Sequence, residues 1–151
     1  MTQIDFYILA ENSHRNVNQM VCRLCEKATA QDMNVLLYTK SAQQAQELDD
    51  LLWTFKADSF IPHQNLNNPI PSKGNFDYPV LISSADQASA QGIPEQYQQL
   101  LINMTTDAPP FYQQFTRLAE MVGKDSIEKD AARNRYQRYR QQGHKLNKFD
   151  L

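Results

Sequence analysis

Three observations predict an α/β fold of doubly-wound type. Short apolar runs rich in β-formers recur at residues 4–9, 35–39, 79–84 and 100–105. Each run is continuous rather than alternating, as strands buried on both faces require. Amphipathic helical segments follow the first two runs, and strand–helix–strand order favours parallel pairing. At 151 residues and 41% apolar content the chain suits one domain, spanning 1–151, and is too short for two.

Taken in order, IDFYIL (4–9) is the first strand. Ser13 is a candidate N-cap for a helix of roughly five turns carrying Val17, Met20, Val21, Leu24 and Ala28 at helical spacing. VLLYT (35–39) is the second strand. Ser41 and Gln44 match a capping box that opens a helix through Ala45, Leu48, Leu52 and Phe55. From Ser59 to Pro79 the pattern breaks into a Pro- and Asn-rich connection with Pro69, Pro71 and Gly74, which reads as a surface loop. PVLISS and LLINMT supply two further strands. The polar stretch between them, around Gly92-Ile93-Pro94, is too short for a long helix. Pro109-Pro110 suit a helix first turn, where a missing N–H costs nothing. That predicts a helix through Phe111, Phe115, Leu118, Ala119 and Val122, stopped at Gly123. Asp125 and Glu128 then form a reciprocal cap for a last helix running to Gly143, and the tail HKLNKFDL reads as irregular.

Charge is unevenly spread. Residues 1–116 carry 6 basic against 12 acidic side chains, a net of −6, whereas residues 117–151 carry 9 against 5, a net of +4. An acidic partner is drawn to the C-terminal end, and bulk DNA is not drawn to the body. The start of the chain has no basic-then-apolar leader and no apolar run reaches membrane length, which together predict a cytoplasmic protein without membrane contact.

Doubly-wound folds often bind nucleotides, but the apparatus for that is missing. Ala10-Glu11-Asn12-Ser13 follows the first strand without a glycine, and neither G-x-G-x-x-G nor G-x-x-x-x-G-K-S/T occurs. Ser83 and Ser84 lack a G-x-S-x-G context. Asp49 and Asp50 are adjacent on a helix and point about 100° apart, which reads as a solvated face. His63, next to Pro62 at a loop start, reads as a loop anchor. Cys22 and Cys25 form a lone C-x-x-C inside a helical pattern and read as packed thiols. With no second pair, and His14, His63 and His144 at unhelpful separations, no zinc site follows. The reading is no catalytic residue, no cofactor and no metal. The rival from the enzyme class is a nucleotide- or phosphate-using protein with His63 or Asp49 in its site.

Two features invite binding. Along the last helix Lys129, Arg133, Tyr136 and Arg140 share one side at i, i+4, i+7 and i+11, with Ala132 and Tyr139 bordering the row and Arg135 and Arg138 off it, as surface residues. This strip is either a solvated helix face with cations drawn toward the C-terminal end of the dipole or a receptor for something both acidic and apolar. Direct binding of nucleic acid through this helix is a third reading. Leu51-Leu52-Trp53 with Phe55, followed by Phe60-Ile61-Pro62, is broader than one helix stripe needs. It is either core or an aromatic anchor for a partner.

Three stretches together, L-W-x-F-x-x-x-S-F-I-P-H (Leu52 to His63), the opening I-D-F-Y-I-L and R-x-R-Y-x-x-Y-R-x-x-G-x-x-L (Arg133 to Leu146), resemble the chi subunit of bacterial DNA polymerase III holoenzyme over essentially the whole chain. The resemblance implies a Rossmann-like three-layer fold with a mainly parallel sheet flanked by helices. It also implies a non-catalytic, replisome-associated clamp-loader accessory protein that touches DNA only indirectly. Members pair with the psi subunit and grip the acidic C-terminal tail of single-stranded DNA-binding protein (SSB); a helicase is an alternative partner at the psi-facing surface. By that similarity Trp53, Phe60, Ile61 and Pro62 form the psi-facing surface. Val122, Lys129, Arg133 and Tyr136 form the SSB-tail pocket, with Arg140 continuing its basic row. Gln137 is a departure, standing where a basic side chain is familiar.

Overall fold

The computed structural model describes residues 2–10, 16–54, 63–65, 79–85 and 98–150. Among the described residues, seven strands and three helices follow one another as β1 (Gln3–Ile8), α1 (Val17–Ala30), β2 (Val35–Thr39), α2 (Ala42–Thr54), β3 (His63–Asn65), β4 (Val80–Ser84), β5 (Leu100–Asn103), β6 (Arg117–Val122), α3 (Ser126–Gln141) and β7 (Lys145–Asp150). The strands form one sheet in the order β3-β4-β2-β5-β6-β1-β7. All six pairings among the described residues are parallel. The architecture is the Rossmann-like three-layer arrangement.

Alternation along the strands divides the core in two. Val35, Leu37, Val80, Ile82 and Ile102 face α1 and α2, packing on Val21, Cys22, Cys25, Leu48 and Leu52. Ile4, Phe6, Leu36, Leu81, Leu101 and Leu118 face the other way, onto Ala132 and Tyr139 of α3. The continuous apolar runs of β2, β4 and β5 follow directly from burial on both faces.

Several local expectations are corrected. Helix α1 begins at Val17, about four turns long, and its cap is Asn16 rather than Ser13, which lies outside the described residues. Gln19 N–H donates to Asn16 Oδ1 at 2.8 Å, and Asn16 N–H donates back to Gln19 Oε1 at 3.2 Å. At α2 the Gln44 amide N–H donates to Ser41 Oγ (3.2 Å), but the Gln44 side chain accepts from Lys40 N–H (2.8 Å), one residue before the expected partner. The expected surface loop and the polar stretch around Gly92 fall outside the described residues, apart from β3 and Pro79.

The helix expected after Pro109-Pro110 does not form. A single 3-10 turn at Tyr112–Gln114 is followed by strand β6. RLAEMV pairs with β5 on one side and β1 on the other, and its last five residues are all buried. Leu118, Ala119 and Val122 satisfy helical spacing, yet Leu118 and Val122 face α3 while Ala119 and Met121 face α1, a period of two. The vacancy between β5 and β1 decides the outcome, because sheet pairing there overrides local spacing.

The tail is likewise not irregular. Helix α3 ends with Gly143 in the left-handed region at φ 84°. Gly143 N–H donates to Arg140 O at 3.1 Å and His144 N–H to Tyr139 O at 3.2 Å. This Schellman closure satisfies two terminal carbonyls and turns the chain back along the sheet. Residues Lys145–Asp150 then lie beside β1 as the edge strand β7, with Leu146 opposite Ile4 and Phe149 opposite Tyr7.

Candidate functional site

Helix α3 is held from below by a buried polar cluster. Glu120 of β6 is 0% exposed and Arg135, expected at the surface, is 5% exposed. Arg135 Nε donates to Glu120 Oε2 at 3.2 Å, and its Nη1 to the Thr106 carbonyl at 2.5 Å. Tyr139 OH donates to Glu120 Oε2 at 2.6 Å, and Asn103 Nδ2 to Glu120 Oε1 at 2.7 Å. Burial pushes the Glu120 carboxyl upward, and Arg135, Tyr139 and Asn103 pull it back. Burial and the neighbouring Glu120 push the Tyr139 phenol far above its ordinary range. Tyr139 therefore does not border an exposed strip. It fixes, with Arg135 and Ala132, which way α3 faces.

The N-terminus of α3 is capped by Asp125, whose Oδ1 accepts from Ile127 N–H at 2.8 Å. Glu128 is not the reciprocal partner. Its Oε1 lies 3.3 Å from Lys40 Nζ, tying α3 to the end of β2. Gly123 leaves room for that carboxylate, since a Cβ there would collide with Glu128 Oε2.

With Arg135 and Tyr139 turned inward, the next face of α3 overhangs a cleft of about 410 Å³ lined by Phe6, Ile8, Val122, Lys129, Ala132, Arg133, Tyr136, Gln137, Lys148 and Asp150. It lies where β1 and β6 end, Ile8 being in register with Val122, which is the usual end for ligands in parallel α/β sheets. Phe6, Ile8, Val122 and Ala132 give an apolar floor. The Tyr136 ring stands tilted against Phe6 at 5.4 Å between centroids. Lys129, Arg133 and Lys148 place cations around it. In the free protein Arg133 Nη1 lies 3.0 Å from Asp130 Oδ1, both side chains largely exposed, a pair that offers little resistance to a competing carboxylate.

Of the residues expected in this pocket, Val122, Lys129, Arg133 and Tyr136 converge on the cleft; Arg140 is exposed and outside its lining. Arg138 is exposed as expected. Phe6, Ile8, Lys148 and Asp150 were missed. The available signal was the Gly143 stop followed by the β-compatible KLNKFD, which delivers Lys148 and Asp150 as a strand.

The second expected surface is described only at Trp53, which is 60% exposed near the end of α2. Phe60, Ile61 and Pro62 lie outside the described residues. His63 sits in β3, not at a loop start, and is buried. Its Nε2 lies 2.6 Å from Asp49 Oδ1 and 3.1 Å from the Asp49 carbonyl, so this nitrogen carries the hydrogen. Asp49 is thus a partner of His63, not merely a solvated residue. The Trp53 ring meets the His63 ring edge-on at 5.4 Å.

Cys22 and Cys25 are buried in α1. Burial raises the Cys22 thiol to about 12 and Cys25 further. Among the described residues no three His, Cys, Asp or Glu side chains gather as a metal site, and no helix is long and apolar enough to cross a membrane.

A family profile described as DNA polymerase III chi subunit, HolC, matches residues 1–147. The DNA polymerase III subunit chi of Pseudomonas aeruginosa is 35% identical over 151 residues, covering 100% of this chain and 98% of the relative. That of Haemophilus influenzae is 33% identical over 142 residues, covering 94% and 92%. That of Escherichia coli is 30% identical over 151 residues, covering 97% of each. Whole-chain profile agreement and three relatives at this identity establish the kinship: the chain belongs to the DNA polymerase III chi subunit family.

Proposed function

We infer that the protein is a non-catalytic accessory subunit of the DNA polymerase III holoenzyme, bridging the clamp loader to SSB in the cytoplasm. The α3 cleft takes the acidic SSB C-terminal tail, and the surface around Trp53, Phe60, Ile61 and Pro62 docks psi. The observation that carries this reading is the pairing, in one cleft, of an apolar floor with Lys129, Arg133 and Lys148 around it. An SSB tail presents aspartates, then apolar residues ending in an aromatic ring and a free carboxylate. Arg133 can hold a carboxylate through two parallel N–H donors, which a lysine cannot reproduce. Val122, Phe6 and the Tyr136 ring offer the ring an apolar seat. Hydrogen bonds to charged groups contribute about 1.5–3 kcal/mol each, and burying one aromatic ring contributes about as much. After the cost of association, micromolar affinity results.

The test is titration of a labelled peptide with the SSB-tail composition. Arg133→Ala weakens binding at least about tenfold, the loss of roughly one charged hydrogen bond, while the thermal melt stays unchanged. Unchanged affinity removes the pocket assignment. Tighter binding to a bare single strand than to the peptide would favour direct nucleic-acid binding instead.

A further inference from the structure

The cleft has two walls, and the second comes from β7. Parallel register with β1 sets Leu146 beside Ile4, Lys148 beside Phe6 and Asp150 beside Ile8. Ile4 and Phe6 belong to the sheet face that α3 covers, so side-chain alternation puts Leu146, Lys148 and Asp150 on that face too. The intervening residues turn away: Asn147 donates to Asp5 Oδ1 at 2.9 Å, and Phe149 stacks on Tyr7 at 5.2 Å. Two separate contacts on the reverse face thus anchor the strand while Lys148 and Asp150 reach the cleft. Gln137, on the α3 wall, is uncharged, so beside Lys129 and Arg133 Lys148 is the third cation of the cleft and Asp150 its one anion among the described lining residues.

We propose that β7 is the charge-reading wall of the acidic-peptide cleft, Lys148 attracting the peptide's carboxylates across from Arg133 and Asp150 opposing them to set which stretch of the peptide can lie there. This rests on the acidic-tail reading and adds to it a pair of specificity determinants of opposite sign. Lys148 and Asp150 are two residues apart on one strand face, so their backbones are separated by about 6.6 Å. That is less than a Debye length of about 8 Å at physiological salt, so both act on the same bound peptide. Aspartate side chains are favoured on the Lys148 side; the apolar side chains lie toward Ile8 and Val122 with the terminal carboxylate turned to Arg133, and an additional side-chain carboxylate among them is repelled by Asp150. The pair therefore selects peptides in which acidity precedes an apolar end over peptides that are acidic throughout.

The experiment uses the full chain and fluorescence anisotropy. One probe is a labelled synthetic peptide of several aspartates followed by apolar residues and a terminal phenylalanine with a free carboxylate. The other has the same length with aspartates continued among the apolar positions. Lys148→Ala weakens the first probe about three- to fivefold, as one exposed charge pair allows, and flattens the salt dependence. Lys148→Arg restores both. Asp150→Asn strengthens both probes, the fully acidic one more, narrowing the preference between them. Opposite signs at two neighbouring exposed positions cannot come from a loosened strand, and coincident thermal melts add a check on folding. If Arg133→Ala loses binding but both β7 variants stay within about twofold of the parent, the cleft reading stands and the β7 wall is overturned. If the parent protein binds neither probe, the cleft reading falls and this inference falls with it.

Discussion

Replacing Arg135 by methionine removes the only side-chain cation bonded to Glu120 among the described residues, in the middle of the α3–sheet interface. Methionine keeps most of the length and flexibility of the arginine stem, so cavity formation is a minor component. The loss is electrostatic. The carboxylate forfeits its 3.2 Å bond from Arg135 Nε, and the Thr106 carbonyl forfeits its donor. The side chains involved are 6% and 0% exposed, so water does not replace what is lost. Leaving one partner of such a buried pair costs about 3–5 kcal/mol. The pH dependence has a definite sign. Burial already holds the Glu120 carboxyl above its ordinary value, and the Arg135 charge is the largest influence pulling it down. Without Arg135 the folded-state pKa climbs further. A carboxyl whose pKa is higher folded than unfolded binds its proton more tightly in the folded state, so its contribution is complete below the unfolded value and is lost as pH rises through the folded one. The deficit of Arg135→Met is therefore greatest at neutral and alkaline pH and shrinks on acidification toward the ordinary carboxylate range. Urea unfolding followed by circular dichroism, for the parent, Arg135→Met, Glu120→Gln and the double variant, measures both the deficit and the coupling. A deficit under about 0.5 kcal/mol, the ordinary surface range, or one that widens in acid, would refute the reasoning.

Two other outcomes are expected, the first from burial in the structure and the second from the proposed psi-facing surface. With Cys22 raised to about 12 and Cys25 beyond it, neither thiol is ionised near neutral pH. Alkylation followed by mass spectrometry should therefore label them only after denaturation, and rapid labelling of the native protein would contradict their burial. Phe60→Ala should abolish co-purification with psi while leaving SSB-tail affinity unchanged; loss of both, or of neither, counts against two separate surfaces.

What could be read from the chain follows from how strongly each segment is constrained locally. VLLYT and VLISS are uncharged and open on continuous apolar residues, and their closing Thr39, Ser83 and Ser84 are buried with them, as in short strands covered on both faces. RLAEMV was misread because a charge at each of two positions broke the run and its apolar spacing also fitted a helix. The partners that explain those charges, Asp5 for Arg117 at 2.7 Å and Arg135 for Glu120, are 112 and 15 residues away. Arg135 was misplaced for the same reason: a helical wheel shows which side it is on but not that a buried carboxylate waits there. Lys129, Arg133 and Tyr136 were legible because they share one helix face. Lys148 and Asp150 were not, since their role depends on the turn at Gly143 returning the tail to β1. Sites made by one element can be read from spacing; the opposite wall of a cleft is set by the topology.

If the α3 cleft recognises an acidic chain end, the chain end itself is the sharpest probe. Calorimetric titration with the SSB-tail peptide and with the same peptide amidated at its C-terminus changes one charge and little else. Micromolar binding of the free acid is expected, with about tenfold or greater loss on amidation, the equivalent of one charge-assisted contact. Equal affinity for the two peptides, or no heat from either, would contradict it.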